Sequence, residues 1–371
     1  MKINRVAIRE LSIPLIEPFT TSFTSLTQKP FSVVELYSDD QIGYGECAAI
    51  GVPLYNEECA ATANYVIEHF LVPLLKDHNE IDHPDEINTL FEPIRRNRFA
   101  RAAVEQAVWD LFAKTQGISL SEALGGTKTK VEVGISIGIK PSTTELLKCV
   151  ERALGRGFKR IKIKIKPGKD IELVKAIRKE FGDITLQVDA NSAYRLSDVE
   201  TIKALDDFDL SLIEQPFADN DIVDHSILQK QIRTPICLDE SIDSVEDARK
   251  AIELGSCRII NIKVGRVGGL TEAKKIHDLA AKNNVGVWCG GMLDTAIARA
   301  SCLAIASLPN FVYASDITDY REHFREDYVT NSPFMNEDST INVPSGPGIG
   351  MNLKKDVYDS LTRQIKIFNL C

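Results

Sequence analysis

Several features that mark common functional classes are missing from this sequence of 371 residues. Its eight cysteines include no Cys-x-x-Cys pair, which disfavours a disulfide framework. Those in apolar strand-like runs, such as Cys237 and Cys289, are expected to be reduced and to pack as small hydrophobes. The six histidines form no cluster, and we expect each to be a surface or capping residue.

Basic character and long apolar runs are also scarce. The formal net charge of -9 argues against nucleic-acid binding, which normally requires a basic surface. No apolar stretch approaches the roughly 20 residues of a membrane span, and the first ten residues are too charged for a signal peptide. We therefore expect a cytoplasmic enzyme with a small-molecule substrate and with no nucleic-acid or membrane partner.

Glycine-containing motifs do not indicate a nucleotide site or a hydrolase. No G-x-G-x-x-G follows the first strand of the βα region, which weakens a dinucleotide-binding interpretation. Residues 134–138 read G-I-S-I-G and fit the hydrolase pattern G-x-S-x-G. A nucleophilic serine needs a sharp turn from strand to helix, whereas Ser136 lies within a strand-like run.

Two different patterns divide the chain. Residues 2–16 and 31–47 alternate like antiparallel strands, with Asp39 and Asp40 at the turn, and residues 57–76, 84–92 and 98–114 have helical periodicity. We assign residues 1–125 to an α+β domain, residues 126–325 to a barrel, and residues 326–371 to a loop and short tail that return to the first domain.

The barrel assignment rests on a regular alternation of strands and helices. Strands are predicted to start near residues 131, 159, 185, 210, 235, 258, 285 and 311. Helical segments such as 170–181, 244–254 and 271–283 lie between them. Eight such units over about 190 residues favour an α/β fold of the (β/α)8 barrel type.

Charged residues recur in this barrel region at a period of one strand plus one helix. Lys164, Asp189, Glu214, Asp239 and Lys263 follow one another at intervals of 25, 25, 25 and 24 residues. Each lies in or just after a predicted strand, where barrel enzymes place their active sites. Three converging carboxylates suit a hard divalent cation with oxygen ligands, and Mg²⁺ is the first choice. The alternative is that each acid only ends a strand or caps a helix.

Lysines on both sides of the three acids indicate a base. Lys162 and Lys164 are two residues apart and so point to the same face of their strand. A cation and a second ammonium beside Lys164 would lower its pKa, which suits a general base. Lys263, four strands on, would face it across the site. A metal and a poised amine suit removal of a proton α to a carboxylate, because the metal stabilises the resulting enediolate.

These residues form motifs that resemble the enolase superfamily, muconate-lactonizing subgroup, over the whole chain. Residues 162–164 (K-I-K) are similar to its base motif, and the stretches around Asp189, Glu214 and Asp239 are similar to its three metal-ligand strands. Residues 261–269 are similar to its opposite lysine and the loop that follows. The resemblance implies a modified (β/α)7β barrel with residues 1–125 as a capping domain, and Mg²⁺ as cofactor, with Mn²⁺ as a substitute.

The resemblance also implies the residues around the substrate. The implied substrate-binding residues are Ser136, Phe19, Tyr55, Asn191, Gly291 and Met292, and the implied supporting residues are Arg266 and Asn261. The notable departures from the family pattern are Asp294, Ala296 and Ala298. For Phe19, anchoring in the core of the first domain is an equal alternative. Arg266, close to Lys263 in the sequence, is expected to tune that lysine.

Within the subgroup, the likeness is to o-succinylbenzoate synthases and N-acylamino acid racemases. It implies either a dehydratase of menaquinone biosynthesis or a racemase, or both activities in one protein. In the first, Lys164 acts as base and then as acid; in the second, Lys164 and Lys263 act as bases on opposite faces. A metal-free Schiff-base enzyme is the alternative of another class, but it needs one desolvated lysine and no cluster of acids. A homo-oligomer is also expected by resemblance.

Overall fold

The computed structural model of the chain describes residues 1–21 and 24–370. An N-terminal unit of antiparallel strands and helices precedes a barrel of parallel strands. The strands are β1 Arg5–Thr20, β2 Ser25–Tyr37, β3 Ile42–Cys47, β4 Lys130–Glu132, β5 Ile135–Ile137, β6 Arg160–Lys164, β7 Thr185–Asp189, β8 Leu212–Glu214, β9 Ile236–Leu238, β10 Ile259–Ile262, β11 Gly286–Cys289, β12 Thr340–Asn342 and β13 Thr362–Asn369.

Helices cover both units. They are α1 Ala60–Val66, α2 Val72–Asp77, α3 Glu86–Leu90, α4 Arg98–Gln116, α5 Leu120–Leu124, α6 Thr143–Gly155, α7 Ile171–Phe181, α8 Val199–Ala204, α9 Val223–Gln229, α10 Val245–Leu254, α11 Val264–Val267, α12 Leu270–Lys282, α13 Ala296–Ala306 and α14 Lys355–Leu361. A π-helical segment, Ile67–Leu71, joins α1 to α2. In the described part of the chain, no helix combines the length and apolar character that crossing a bilayer requires.

The N-terminal sheet has the order β13-β1-β2-β3, and its pairs are antiparallel. Helix α4 lies directly on β3, because a Cβ on Gly45 would stand only 2.0 Å from the Ala103 carbonyl oxygen. Such close packing gives this unit its own apolar core. The edge strand β13 comes from the C-terminal end of the chain. The prediction of only a loop and short tail there is wrong, since α14 and β13 form.

In the barrel, β5 to β11 lie side by side in chain order, and neighbouring strands are parallel. Single parallel bridges join Val133 to Ser315 and Val287 to Phe311, so residues 311–315 close the ring in place of a regular eighth strand. A strand, β4, does start near residue 131 as predicted, but its assignment to the barrel is wrong. β4 pairs with β12, and the first barrel strand, β5, begins at Ile135.

Buried polar side chains of the N-terminal unit attach it to the barrel. The Glu46 carboxylate accepts hydrogen bonds from the Thr295 and Ala298 amides (3.1 and 3.0 Å) at the start of α13. A carboxylate at a helix N-terminus satisfies free amides and suits the helix dipole. Lys29 Nζ donates to the carbonyls of Ala48 (2.6 Å) and Met292 (3.0 Å). These contacts fix the loops of both units around one cleft.

Candidate active site

The strand register places the regularly spaced charged residues of the sequence next to one another in space. Lys164 pairs with Asp189 across β6 and β7, and Asp189 pairs with Glu214 across β7 and β8. Asp239 and Lys263 each come one residue after the end of the next two strands. Because neighbouring parallel strands end at the same rim, the five side chains lie together at the carboxyl ends of the barrel.

Each of the three acids is buried and contacts a lysine. Lys164 Nζ lies 2.5 Å from Asp189 Oδ2, Lys162 Nζ lies 2.7 Å from Glu214 Oε2, and Lys263 Nζ lies 2.8 Å from Asp239 Oδ2. Within the described residues, no group of three or more His, Cys, Asp or Glu side chains surrounds a common point suited to a metal ion. The acids instead use the lysines as counter-charges.

The acids nevertheless act on one another through charge. Burial, and then the charges of Asp189 and Asp239, raise the pKa of Glu214 to about 8. Burial and the charges of Asp239 and Asp189 raise the pKa of Glu240 to about 7. Burial alone would raise the pKa of Asp189, but Lys164 and Lys162 outweigh it and hold that pKa below its usual value. Such a cluster of carboxylates is unfavourable without an additional positive charge.

The donor set fits a hard cation. Asp239 Oδ2 lies near Lys263, yet this contact lacks hydrogen-bond geometry, and Glu240 Oε2 is also without a hydrogen bond within the described residues. Both are buried carboxylate oxygens with lone pairs to spare. Because the neighbouring side chains of this row offer carboxylate oxygens only, a magnesium-like ion suits them better than zinc. Asp189, Glu214 and Asp239 would hold such an ion.

A tyrosine from the N-terminal unit contacts the lysine on the far side. The Tyr55 hydroxyl lies 3.1 Å from Asp239 Oδ1, 3.2 Å from Lys263 Nζ and 3.2 Å from Arg266 Nη1. Lys263 Nζ also lies 4.5 Å from the centroid of the Tyr55 ring. Burial alone would lower the pKa of Lys263, but Asp239, Tyr55 and Glu240 raise it well above its usual value. Lys263 is therefore held as an ammonium.

Two predicted supporting residues hold the acids in place. Asn261 Nδ2 donates to Glu214 Oε1 at 2.7 Å, and Arg266 forms an ion pair with Asp239. Asn191, for which substrate binding stays a prediction, accepts a hydrogen bond from Lys164 Nζ through Oδ1 (2.7 Å) and donates to Glu240 through Nδ2 (2.9 Å). It thereby orients a lysine, and it also lines the cleft.

The predicted substrate residues line one cleft that is partly open to solvent. Its walls include Phe19, Tyr55, Ser136, Gly291 and Met292 together with the three lysines. Phe19 does not belong to an apolar core; its ring meets His323 edge-on, with centroids 5.9 Å apart. Residues 22 and 23, close to Phe19 in the sequence, lie outside the described part of the chain. Contact of the lining residues with substrate stays a prediction.

Sequence reasoning missed an acid beside the base motif. Asp316 Oδ2 lies 2.6 Å from Lys162 Nζ, and Asp316 Oδ1 lies 2.5 Å from Arg160 Nη1. Lys162 Nζ also lies 4.6 Å from the centroid of the Trp288 ring. Burial alone would lower the pKa of Lys162, but Asp316, Glu214 and Asp189 raise it well above its usual value. The sequence gives no signal for the pair of Arg160 and Asp316, since charged or polar residues also stand beside each of them.

The expectation that each histidine is a surface or capping residue is wrong for three of them. His323 lines the cleft, His225 is fully buried and accepts a hydrogen bond from the Phe217 amide at 3.1 Å, and His277 stacks on Phe311. Arg299, another lining residue, was also missed. It comes from α13, whose apolar composition gives no sign of a cleft residue.

Comparison with known proteins gives a consistent set of relatives. Residues 3–125 match the family model described as mandelate racemase / muconate lactonizing enzyme, N-terminal domain, and residues 145–357 match the one described as enolase C-terminal domain-like. An o-succinylbenzoate synthase of Geobacillus kaustophilus is 48% identical over 100% of this chain and 98% of its own.

Two further relatives extend the comparison. An N-succinylamino acid racemase of Thermus thermophilus is 41% identical over 98% of both chains. The crystal structure of an enolase-superfamily member from Listeria innocua superimposes with a TM-score of 0.96 at 42% identity, covering 100% of each chain. The cleft and its lysines thus belong to a fold that is shared over the full length of these proteins.

Proposed function

The chain belongs to the enolase superfamily, and from this membership we propose that it is a Mg²⁺-dependent o-succinylbenzoate synthase. The proposal is supported by its relatives of that name and by one geometric observation. Two lysines that line the cleft, Lys164 and Lys263, flank a row of three buried carboxylates. The reaction would be a dehydration that starts with removal of a proton α to a carboxylate.

A divalent cation held by Asp189, Glu214 and Asp239 would supply positive charge to a substrate carboxylate and make the neighbouring C–H more acidic. Mg²⁺ is proposed, and Mn²⁺ is expected to substitute for it. Asn261 and Arg266 would keep two of these acids oriented through their bonds to Glu214 and Asp239.

Lys164 would act in both halves of the reaction. As a neutral amine it takes the α-proton, and as an ammonium it returns a proton to the hydroxide that leaves from the same face. The C–H and C–O bonds break, a C=C bond forms, and water is released. Asn191 orients the Lys164 amine by accepting its hydrogen bond. Lys263, kept as an ammonium, offsets the negative charge that develops on the substrate.

The first test is a Lys164→Ala variant with Lys169→Ala as its control, because Lys169 is exposed and follows the same strand. We expect dehydration to fall by about 10²- to 10⁴-fold in Lys164→Ala, the usual contribution of a general acid-base group. The control should retain the parent rate. EDTA should abolish activity and Mg²⁺ should restore it. Undiminished dehydration by Lys164→Ala would refute the assignment of the base.

An N-succinylamino acid racemase is the second candidate, and the pair of lysines specifically favours it. Racemisation needs one base on each face of the α-carbon, and Lys164 and Lys263 each contact a different end of the row of acids. Lys263→Ala should then abolish racemisation in both directions. Fast dehydration without α-hydrogen exchange of N-succinylamino acids in D₂O would leave only the synthase. As part of the same proposal, we place the synthase activity in menaquinone biosynthesis and the protein in the cytoplasm.

A further inference from the structure

Gln215 lies between the ends of two neighbouring barrel strands and contacts both through its backbone. It directly follows Glu214, the last residue of β8. The Gln215 amide donates to the Cys237 carbonyl on β9 at 2.9 Å. The Gln215 carbonyl accepts from the Ser192 amide, in the loop after β7, also at 2.9 Å. This one residue therefore joins the ends of the three strands that carry the row of acids. None of the steps described above uses it.

The backbone conformation of Gln215 gives its side chain a place in the sheet. In a regular parallel ladder, a residue whose amide bonds to the Cys237 carbonyl would accept the Asp239 amide through its own carbonyl. The φ of Gln215 is instead +37°, in the left-handed region that non-glycine residues seldom adopt. Its carbonyl is turned to Ser192, and side-chain Oε1 accepts the Asp239 amide in its place at 3.0 Å. The side chain thus completes the ladder at the third acid.

The remaining polar atoms around the Gln215 side chain are also matched. The residue is fully buried, and Oε1 accepts the Ser241 amide as well, at 3.3 Å. Nε2 lies 2.6 Å from the Ser241 hydroxyl, 3.2 Å from the Phe217 carbonyl and 3.1 Å from the Ala218 carbonyl. Because the oxygen meets amide donors and the nitrogen meets carbonyl acceptors, the side-chain amide has one favourable orientation. A carboxylate in this position would face two carbonyl oxygens with no proton to donate.

We infer that Gln215 is a positioning residue for the metal site, because it holds the ends of β7, β8 and β9 together and so sets the spacing of the three carboxylates. This inference rests on the proposed function, which assigns the row of acids to Mg²⁺. Replacing a group that orients metal ligands usually weakens metal binding by about 10- to 100-fold. The affinity for the metal, measured without substrate, is therefore the property that Gln215 should control.

Binding of Mn²⁺ to the substrate-free protein tests this role apart from turnover, with free Mn²⁺ followed by electron paramagnetic resonance. Gln215→Glu keeps the shape of the side chain but loses its N–H donors. Gln215→Gly removes the side chain, and glycine adopts the left-handed backbone without strain. We expect both variants to bind Mn²⁺ about 10- to 100-fold more weakly than the parent protein. Gln231→Glu changes an exposed glutamine between α9 and β9, and this matched control should bind like the parent.

A purely structural role of Gln215 predicts a different result. In that case the thermal midpoint in EDTA falls while the dissociation constant for Mn²⁺ stays at the parent value, and this outcome would overturn the inference. Ser241→Ala is the milder variant to use if the Gln215 variants do not fold, since it removes only the hydroxyl that contacts Nε2. It should weaken Mn²⁺ binding by about 3- to 10-fold, the contribution of one neutral hydrogen bond. An unchanged affinity in Ser241→Ala would also overturn the inference.

Asp239→Asn separates this inference from the proposed function. It should lose Mn²⁺ binding, because it removes the charge of one proposed ligand. If Asp239→Asn binds Mn²⁺ like the parent, the metal does not lie at the row of acids, and both proposals are refuted. If it loses binding while the Gln215 variants retain it, only the inference about Gln215 is overturned. If the Gln215 variants bind Mn²⁺ weakly and the parent catalyses neither dehydration nor α-hydrogen exchange, the positioning role stands and the proposed reaction is refuted.

Discussion

Removing one hydroxyl at Tyr55 is expected to separate the two candidate reactions. Tyr55→Phe keeps the ring, and with it the contact between the aromatic face and Lys263 Nζ at 4.5 Å. It deletes the three polar contacts of the hydroxyl with Asp239, Lys263 and Arg266, at 3.1, 3.2 and 3.2 Å. The substitution therefore leaves the position of Lys263 less restrained and opens little space.

The size of the effect follows from those contacts. A hydrogen bond to a charged group contributes about 1.5–3 kcal/mol, and distances of 3.1–3.2 Å favour the lower end of that range. About 1.5 kcal/mol corresponds to roughly a tenfold decrease in kcat/KM if the whole contribution reaches the transition state. Racemisation should fall by more than dehydration, since it requires Lys263 to exchange a proton and not only to carry charge.

The assay is a parallel measurement of kcat/KM for dehydration and for racemisation of both enantiomers of one N-succinylamino acid. Tyr65→Phe is the matched control, because Tyr65 belongs to the same unit and is 57% exposed. A parental rate in both reactions would refute a positioning role for the hydroxyl. An equal decrease in both, with a lowered thermal midpoint, would assign Tyr55 to stability alone.

The remaining predictions concern stability, packing and Asp316, the acid that contacts Lys162. Burial raises the pKa of Glu105 to about 7 from 4.5, so the folded state holds a proton that the unfolded chain releases, and stability should fall as pH rises through that window. Glu105→Gln should remove this pH dependence of the free energy of unfolding, which amounts to at most about 3 kcal/mol for the difference between the two pKa values. Urea unfolding at pH 5 and pH 8 measures it. An unchanged pH dependence in the variant would contradict the assignment. Gly290→Ala would place a Cβ 2.3 Å from Asn261 Oδ1 and should lower kcat at least about tenfold by disturbing Glu214, whereas Gly255→Ala, with open space around it, should affect only stability. Asp316→Asn should lower kcat by about tenfold with KM nearly constant, because Lys162 loses an ion pair outside the acid row; a change in KM alone would contradict this role.

The row of charged residues could be predicted because it follows from a local rule. One strand and one helix per unit give a fixed interval, and parallel neighbours bring the strand ends to the same rim. Lys164, Asp189 and Glu214 accordingly occupy adjacent register positions. The ion pairs between the three acids and the lysines could not be predicted, because side-chain orientation depends on which counter-charges are present.

Cleft residues without a regular sequence pattern could not be predicted. Asp316 and His323 follow the last barrel strand, where the ring closes through single bridges and no strand period continues. Arg299 stands in the apolar helix α13, and its partner Asp327 lies 28 residues later. At the C-terminus, Ile365 and Ile367 are both exposed on the edge strand β13. Alternation of apolar and polar residues in this strand therefore does not indicate a buried face.

A crystal structure of the protein grown with MgCl₂ and o-succinylbenzoate would test the central claim most directly. We predict one magnesium ion between the carboxylates of Asp189, Glu214 and Asp239, with the amines of Lys164 and Lys263 on opposite faces of the bound product. An ion bound elsewhere, while the three acids keep their lysine partners, would contradict the account.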